Sequence, residues 1–294
     1  MLNLTPLDRA IFHFMRAVFA LLIAAAVLDP AASALAAGNP EAIEIPQTGG
    51  GHLKAVLFRP DGQGPFPAVV GLHNCTGLTN SAGIVGARYR DWGQRLAKDG
   101  YAVLLPDSNG SRGVGSQCAL RSRSIRVERE RVTDAEAARR WLQGQSWVVA
   151  DKVSLMGWSS GAIAALWTVR ARPSAQTSDG PDFRSAVVFY PGCRRLSNAA
   201  WSARVPTLIL IGRADDQASA AACQQMVAGA RGRSARVAIH VYPGAHHDFD
   251  HPNRPIQVRT GLAFSVDGTG RVHSGTNPNA RADALKRVPE WFER

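Results

Sequence analysis

From Leu53 onward, short apolar runs alternate with longer segments in which apolar residues recur every three or four positions. The first pattern belongs to strands and the second to helices that cover them. Strands are expected over 54–58, 68–73, 102–106, 152–156, 186–190, 207–211 and 236–242. Several of these runs are almost continuous in Val, Ile and Leu, as strands buried on both faces should be. Helices are expected over 89–98, 124–143, 160–170, 219–230 and 280–292. The repeated strand-then-helix order predicts a mostly parallel central sheet with helices on both faces, an α/β architecture. Segment 59–67 carries Gly62, Gly64, Pro60, Pro65 and Pro67 and reads as a turn. Segments 171–183 and 254–277 read as irregular, and neither is long enough to form a separate domain. With no internal repeat, residues 37–294 are expected to form one domain.

The first 36 residues fit none of this rhythm. Arg9 and Arg16 precede an apolar run from Ala17 to Leu28, and small residues ending in Ala34-Leu35-Ala36 follow. That order predicts a signal peptide over 1–36, cleaved after Ala36, with the mature chain exported to a periplasmic or extracellular space. The apolar run falls well short of the roughly 20 residues a spanning helix needs, so no stable membrane insertion is expected after cleavage.

Formal net charge is +11. Asp8 and Asp29 cancel Arg9 and Arg16, so the mature chain carries the whole excess. Its arginines are scattered rather than set in an aromatic-interleaved stripe, which argues against a nucleic-acid partner. The densest stretch, Arg121 to Arg140, mixes seven arginines with Glu128, Glu130, Asp134 and Glu136 and reads as a solvated helix face. Cys75, Cys118, Cys193 and Cys223 form no C-x-x-C pair, which argues against a zinc ribbon or a thioredoxin-like motif.

The candidate chemistry begins at Gly157-Trp158-Ser159-Ser160-Gly161, between an expected strand and an expected helix. A sharp strand-to-helix elbow lifts the Ser159 hydroxyl clear of the sheet, and the flanking glycines leave the room it needs. The following amide, Ser160, then sits at a helix N-terminus and can face a developing oxyanion. A carboxylate should follow a later strand, and Gly212-Arg213-Ala214-Asp215-Asp216 supplies Asp215 with Asp216 as a rival. A base should come last, and Pro243-Gly244-Ala245-His246-His247 offers two adjacent histidines that chemistry alone does not separate. The second oxyanion donor is expected at the backbone amide of Cys75, in His73-Asn74-Cys75-Thr76-Gly77. The crowd formed by His246, His247, Asp248, Asp250 and His251 has no metal-ligand spacing, so neither a metal nor an organic cofactor is expected.

Together these blocks resemble the dienelactone hydrolase family of the α/β-hydrolase superfamily, over about Leu53 to Phe249. The blocks are His73 to Gly77, Pro106 to Gly113, the Ser159 elbow, and Tyr190-Pro191-Gly192-Cys193 with the two loops after it. The resemblance implies Asp215 and His247 as the acid and base. It also implies a substrate-binding role for Arg112, against the competing reading of a structural salt link. Trp158, beside the serine, resembles the elbow of secreted polyester hydrolases and is a second substrate-binding candidate. The namesake enzymes use a cysteine nucleophile in the cytoplasm, so Ser159 and the leader are departures. The cysteines follow consecutive expected strands at one sheet edge, which suggests pairing Cys75 with Cys118 and Cys193 with Cys223. The resulting expectation is an exported serine hydrolase acting on a small-molecule ester or lactone. The rivals are a non-catalytic binding protein on the same scaffold, a serine peptidase and a polyester hydrolase.

Overall fold

The computed structural model describes residues 39–47, 50–171 and 180–294. The expected leader, 1–36, lies outside the described residues, as does part of the irregular stretch 171–183. The elements in chain order are β1 (Pro40–Pro46), β2 (His52–Phe58), β3 (Phe66–Leu72), α1 (Ala87–Lys98), β4 (Ala102–Pro106), a 3-10 turn (Gly110–Arg112), α2 (Glu130–Gln143), β5 (Val148–Trp158), α3 (Ser160–Thr168), β6 (Ala186–Phe189), α4 (Arg194–Asn198), β7 (Thr207–Gly212), α5 (Ala220–Gly229), β8 (Val237–Tyr242), β9 (Gln257–Arg259), β10 (Val272–Ser274) and α6 (Pro278–Glu293).

Eight strands form one sheet in the order β1-β2-β4-β3-β5-β6-β7-β8. The β1/β2 and β2/β4 pairs are antiparallel and the rest are parallel. The chain moves one way along the sheet from β3 to β4 and the other way from β4 to β5. Right-handed crossovers therefore put α1 and α2 on opposite faces. From β5 to β8 the direction is constant, so α3, α4 and α5 share the α2 face. This is the α/β-hydrolase fold. The central strands β4, β6 and β7 are buried along their whole length, which is why their sequences read as unbroken apolar runs.

Several elements differ from the sequence reading, the short helix α4 among them. β1 alternates exposed and half-buried positions at the sheet edge and carries little apolar signal. The small antiparallel β9/β10 pair lies inside 254–277, which reads as irregular. Helix α2 begins at Glu130 rather than 124. The Glu130 carboxylate accepts the Arg126 amide at 2.8 Å and pairs with its guanidinium at 2.7 Å, closing a turn ahead of the helix. Nor is α2 a solvated charged face, because Arg131, Asp134 and Arg139 are buried.

Two disulfides lie toward the carboxyl edge of the sheet: Cys75–Cys118, across 43 positions, joins two loops, and Cys193–Cys223, across 30, ties the loop after β6 to helix α5. Among the described residues, no helix is long and apolar enough to cross a membrane. Closing loops of this length removes substantial freedom from the unfolded chain. Replacing Cys193 and Cys223 together by alanine is expected to lower the unfolding free energy by about 2–4 kcal/mol, read by chemical denaturation.

Candidate active site

Strand β5 ends at Trp158 and helix α3 begins at Ser160, leaving Ser159 alone in the turn at φ 52° and ψ −114°. A non-glycine residue held there costs on the order of 1–3 kcal/mol and persists only where its surroundings fix it. The Ser159 amide donates to the Phe189 carbonyl at 3.0 Å, and its own carbonyl accepts from Ile163 at 3.0 Å. The flanking glycines serve close approach. A Cβ on Gly161 would lie 2.0 Å from the Leu72 carbonyl oxygen, and one on Gly157 would lie 2.5 Å from that of Gly161. A side chain at Gly161 would push the elbow off the end of β3, and one at Gly157 would push the strand away from the first turn of α3.

The loops after β7 and β8 are pressed together in the same way. A Cβ on Gly212 would meet the Ala245 carbonyl oxygen at 2.0 Å, and the Ala214 amide donates to that oxygen at 3.1 Å. This contact brings Asp215 to His247. One Asp215 oxygen accepts the amides of Gln217 and Ala218 at 2.9 and 2.8 Å, and the other faces His247 Nδ1 at 2.8 Å. His247 Nε2 lies 3.0 Å from Ser159 Oγ. With Nδ1–H donating to the carboxylate, Nε2 is left to accept the serine proton. Burial pulls the His247 pKa down, but the charge and hydrogen bond of Asp215 outweigh it and hold the imidazole above its ordinary value. The rivals point elsewhere: Asp216 meets His273 Nδ1 at 2.7 Å, and His246 Nδ1 donates to the Ala214 carbonyl at 2.8 Å.

The loop after β3 completes the constellation. The Asn74 amide donates to Tyr89 Oη, while the Thr76 amide donates to Asn74 Oδ1. Among the described residues the Cys75 amide donates to no protein group, and Cys75 borders the same cavity as Ser159, Ser160 and His247. Buried Arg131 donates to the His73 carbonyl at 2.6 Å and reaches Ser160 Oγ at 3.3 Å, tying this loop to the elbow. Its burial lowers the guanidinium pKa to about 10. The cavity measures about 460 Å³, with Ile163, Trp167 and Phe264 as apolar wall and Arg121, Arg123 and Arg126 among its polar lining.

The family model for the dienelactone hydrolase family matches residues 53–294. The chain belongs to the dienelactone hydrolase family. A comparison with curated proteins finds no match. Among solved structures, a Klebsiella pneumoniae protein named for dienelactone hydrolase is 18% identical at a TM-score of 0.64, covering 87% of this chain and 98% of its own. Thermogutta terrifontis esterase 2, phosphoramylated by tabun, is 17% identical at 0.60, covering 86% and 94%. A dienelactone hydrolase-like promiscuous phosphotriesterase from metagenomic libraries is 22% identical at 0.61, covering 86% and 98%. At these identities the likeness is one of fold.

Two expected substrate-binding residues of this family member are placed elsewhere. Arg112 does not border the cavity. Its guanidinium forms a two-pronged pair with buried Asp134 at 2.8 Å and donates to the Ser108 carbonyl at 3.0 Å, so the salt-link reading holds. Trp158 is also withdrawn, being 1% exposed with its Nε1–H donating to Asp250 at 2.8 Å.

That carboxylate belongs to a buried network which the sequence reading missed. Asp250 also accepts from Trp92 Nε1 at 2.8 Å and Tyr190 Oη at 2.6 Å, and it faces Arg88 Nε at 3.3 Å. Arg88 further pairs with Asp248 at 2.6 Å, and Arg254 reaches the other Asp248 oxygen at 2.9 Å. Burial alone would raise the Asp248 pKa, but these cations hold it below the usual carboxylate range. The acidic half of the histidine crowd is thus occupied, Asp248 by arginines and Asp250 by two indoles and a phenol with Arg88 beside them. Tyr190 in turn packs on His247, with ring centroids 4.4 Å apart. The available signal was polar-edged aromatics inside apolar segments, since a buried indole or phenol needs an acceptor. Asp250→Ala strands the Trp92, Trp158 and Tyr190 donors and leaves Arg88 with Asp248 alone, and is expected to cost about 3–5 kcal/mol, read as a shifted denaturation midpoint.

Proposed function

We propose that this chain is an exported serine hydrolase that cleaves a carboxylic ester or lactone through an acyl-enzyme on Ser159. The observation that carries the reading is the unbroken line from the Ser159 hydroxyl through His247 to Asp215, opening into a cavity sized for a small molecule. In the first half-reaction His247 Nε2 takes the Ser159 proton as Oγ bonds to the acyl carbon. The Cys75 and Ser160 amides bear the oxyanion, and Asp215 stabilises the imidazolium. Collapse breaks the ester bond, and His247 returns the proton to the leaving alkoxide. Water then repeats the sequence on the acyl-enzyme, releasing the acid and restoring Ser159. These steps use only side chains, backbone amides and water. Arginines beside the cavity give it a positive potential that suits a substrate or product with acidic character.

Removal of residues 1–36 on export would leave one domain beginning at 37. Disulfides fit that destination, because they persist in oxidising compartments.

Ser159→Ala is expected to lower hydrolysis of a nitrophenyl ester by on the order of a thousandfold or more and to abolish labelling by a fluorophosphonate probe. Wild-type protein that neither turns over esters nor labels would instead be a binding scaffold. The pH profile provides a second check. Only neutral His247 accepts the serine proton, so kcat/KM should rise with pH through a midpoint above the ordinary histidine value of 6.5. Asp215→Asn removes the charge that raises it, so this acid limb should shift to lower pH while the rate falls; a limb that stays in place rules out the assigned partner.

A further inference from the structure

We propose that Asp216, His246 and His273 form a binding site for a divalent transition-metal ion of the zinc type, clamping together the loops behind the Asp215–His247 pair. One donor atom from each residue lies within 4.8 Å of the other two. His273 Nδ1 is 2.7 Å from an Asp216 oxygen, so an Nδ1–H donating to that carboxylate leaves the His273 Nε2 lone pair for a metal, and the His246 and His273 rings are tilted by 33° with centroids 5.3 Å apart. Two imidazoles and a carboxylate are a donor set that suits zinc, nickel or copper rather than calcium or magnesium. Tetrahedral zinc with bonds of about 2.0–2.1 Å holds its donors roughly 3.4 Å apart. No donor pair therefore needs to close by more than about 1.4 Å, a movement open to half-buried groups.

A second observation points the same way. A metal-ligating histidine is oriented by donating its other ring N–H to a fixed acceptor. His246 does this: its Nδ1 meets the Ala214 carbonyl, which can only accept, so Nδ1 carries the proton and the Nε2 lone pair is left for a metal. Asp216 is braced as well, because the His273 backbone amide donates to its carboxylate at 2.9 Å. The side chains of His273 and Asp216 are 38% and 36% exposed, so water can fill the remaining coordination positions.

The location determines what the ion would do. Asp216 follows Asp215, His246 precedes His247, and His273 precedes Ser274, which bridges to His247 while the Gly275 amide donates to the His247 carbonyl at 2.9 Å. One ion would thus cross-link the three backbone segments that position the Asp215–His247 pair. It is separate from the cavity and takes no part in the acyl-transfer steps.

The test is titration of chelator-stripped full-length mature protein with Zn2+ alone, followed by calorimetry and thermal unfolding. His246→Asn and His273→Asn keep a donor near each Nδ1 position but remove Nε2. Expected are one strong Zn2+ site per wild-type chain and a Tm rise of about 5 °C or more at a hundredfold excess over Kd. Each variant should match the metal-free wild-type Tm, bind Zn2+ at least about tenfold more weakly and lose the Tm rise, while Ca2+ and Mg2+ leave all three proteins unmoved. Zn2+ binding that both variants retain in full, or its absence from the wild type, overturns the proposal.

Discussion

Asp250 accepts hydrogen bonds from two tryptophans and a tyrosine and faces an arginine, all in a space closed to water. Trp92 and Arg88 come from α1, Trp158 from the last position of β5, and Tyr190 from the end of β6. A buried carboxylate is tolerated only where its lone pairs are filled, so the four groups and the loop carrying Asp250 must arrive together. Ser159 directly follows one of these donors, and Tyr190 carries the face on which the His247 ring rests. Slack in this network would move the proposed nucleophile and base independently, and the 3.0 Å contact between them would open.

Backbone contacts act in the same direction. Gly161 lets the elbow lie against the end of β3, and Gly212 lets the acid loop lie against the base loop. Both are places where a methyl group would overlap a carbonyl oxygen, so the glycines are required by proximity rather than by turn conformation. Arg131 and the Cys75–Cys118 bridge then hold the loop bearing the proposed oxyanion donor. The positioning is therefore distributed over a buried polar network, close-packed backbone and a covalent staple.

The residues after β8 divide into three chemical neighbourhoods within one short segment. His247 faces Asp215 and Ser159. Asp248 and Asp250 face arginines and indoles. His246 faces outward toward His273 and Asp216. Along the chain they form one polar crowd without metal-ligand spacing, but in space His246 stands in a constellation suited to a metal, and its partners come from two other loops.

Much of the architecture was readable from the chain itself. Strand and helix positions follow from apolar periodicity, which is local, and the elbow announces itself because Gly-x-Ser-x-Gly is a backbone requirement written in adjacent residues. Edge strand β1 escaped because a strand that buries little needs few apolar residues. Deciding between Asp215 and Asp216, and between His246 and His247, needed either the family resemblance or the coordinates, since each pair is chemically identical and differs only in direction. Arg112 and Trp158 carry side chains equally able to meet a substrate or a buried partner, and only packing showed that Asp134 and Asp250 claim them. Composition and spacing specify what a residue can do and how its own backbone runs. Which of its possible partners it meets depends on segments dozens of residues away, and that choice is made only when the sheet closes and the loops at its edge are brought into contact.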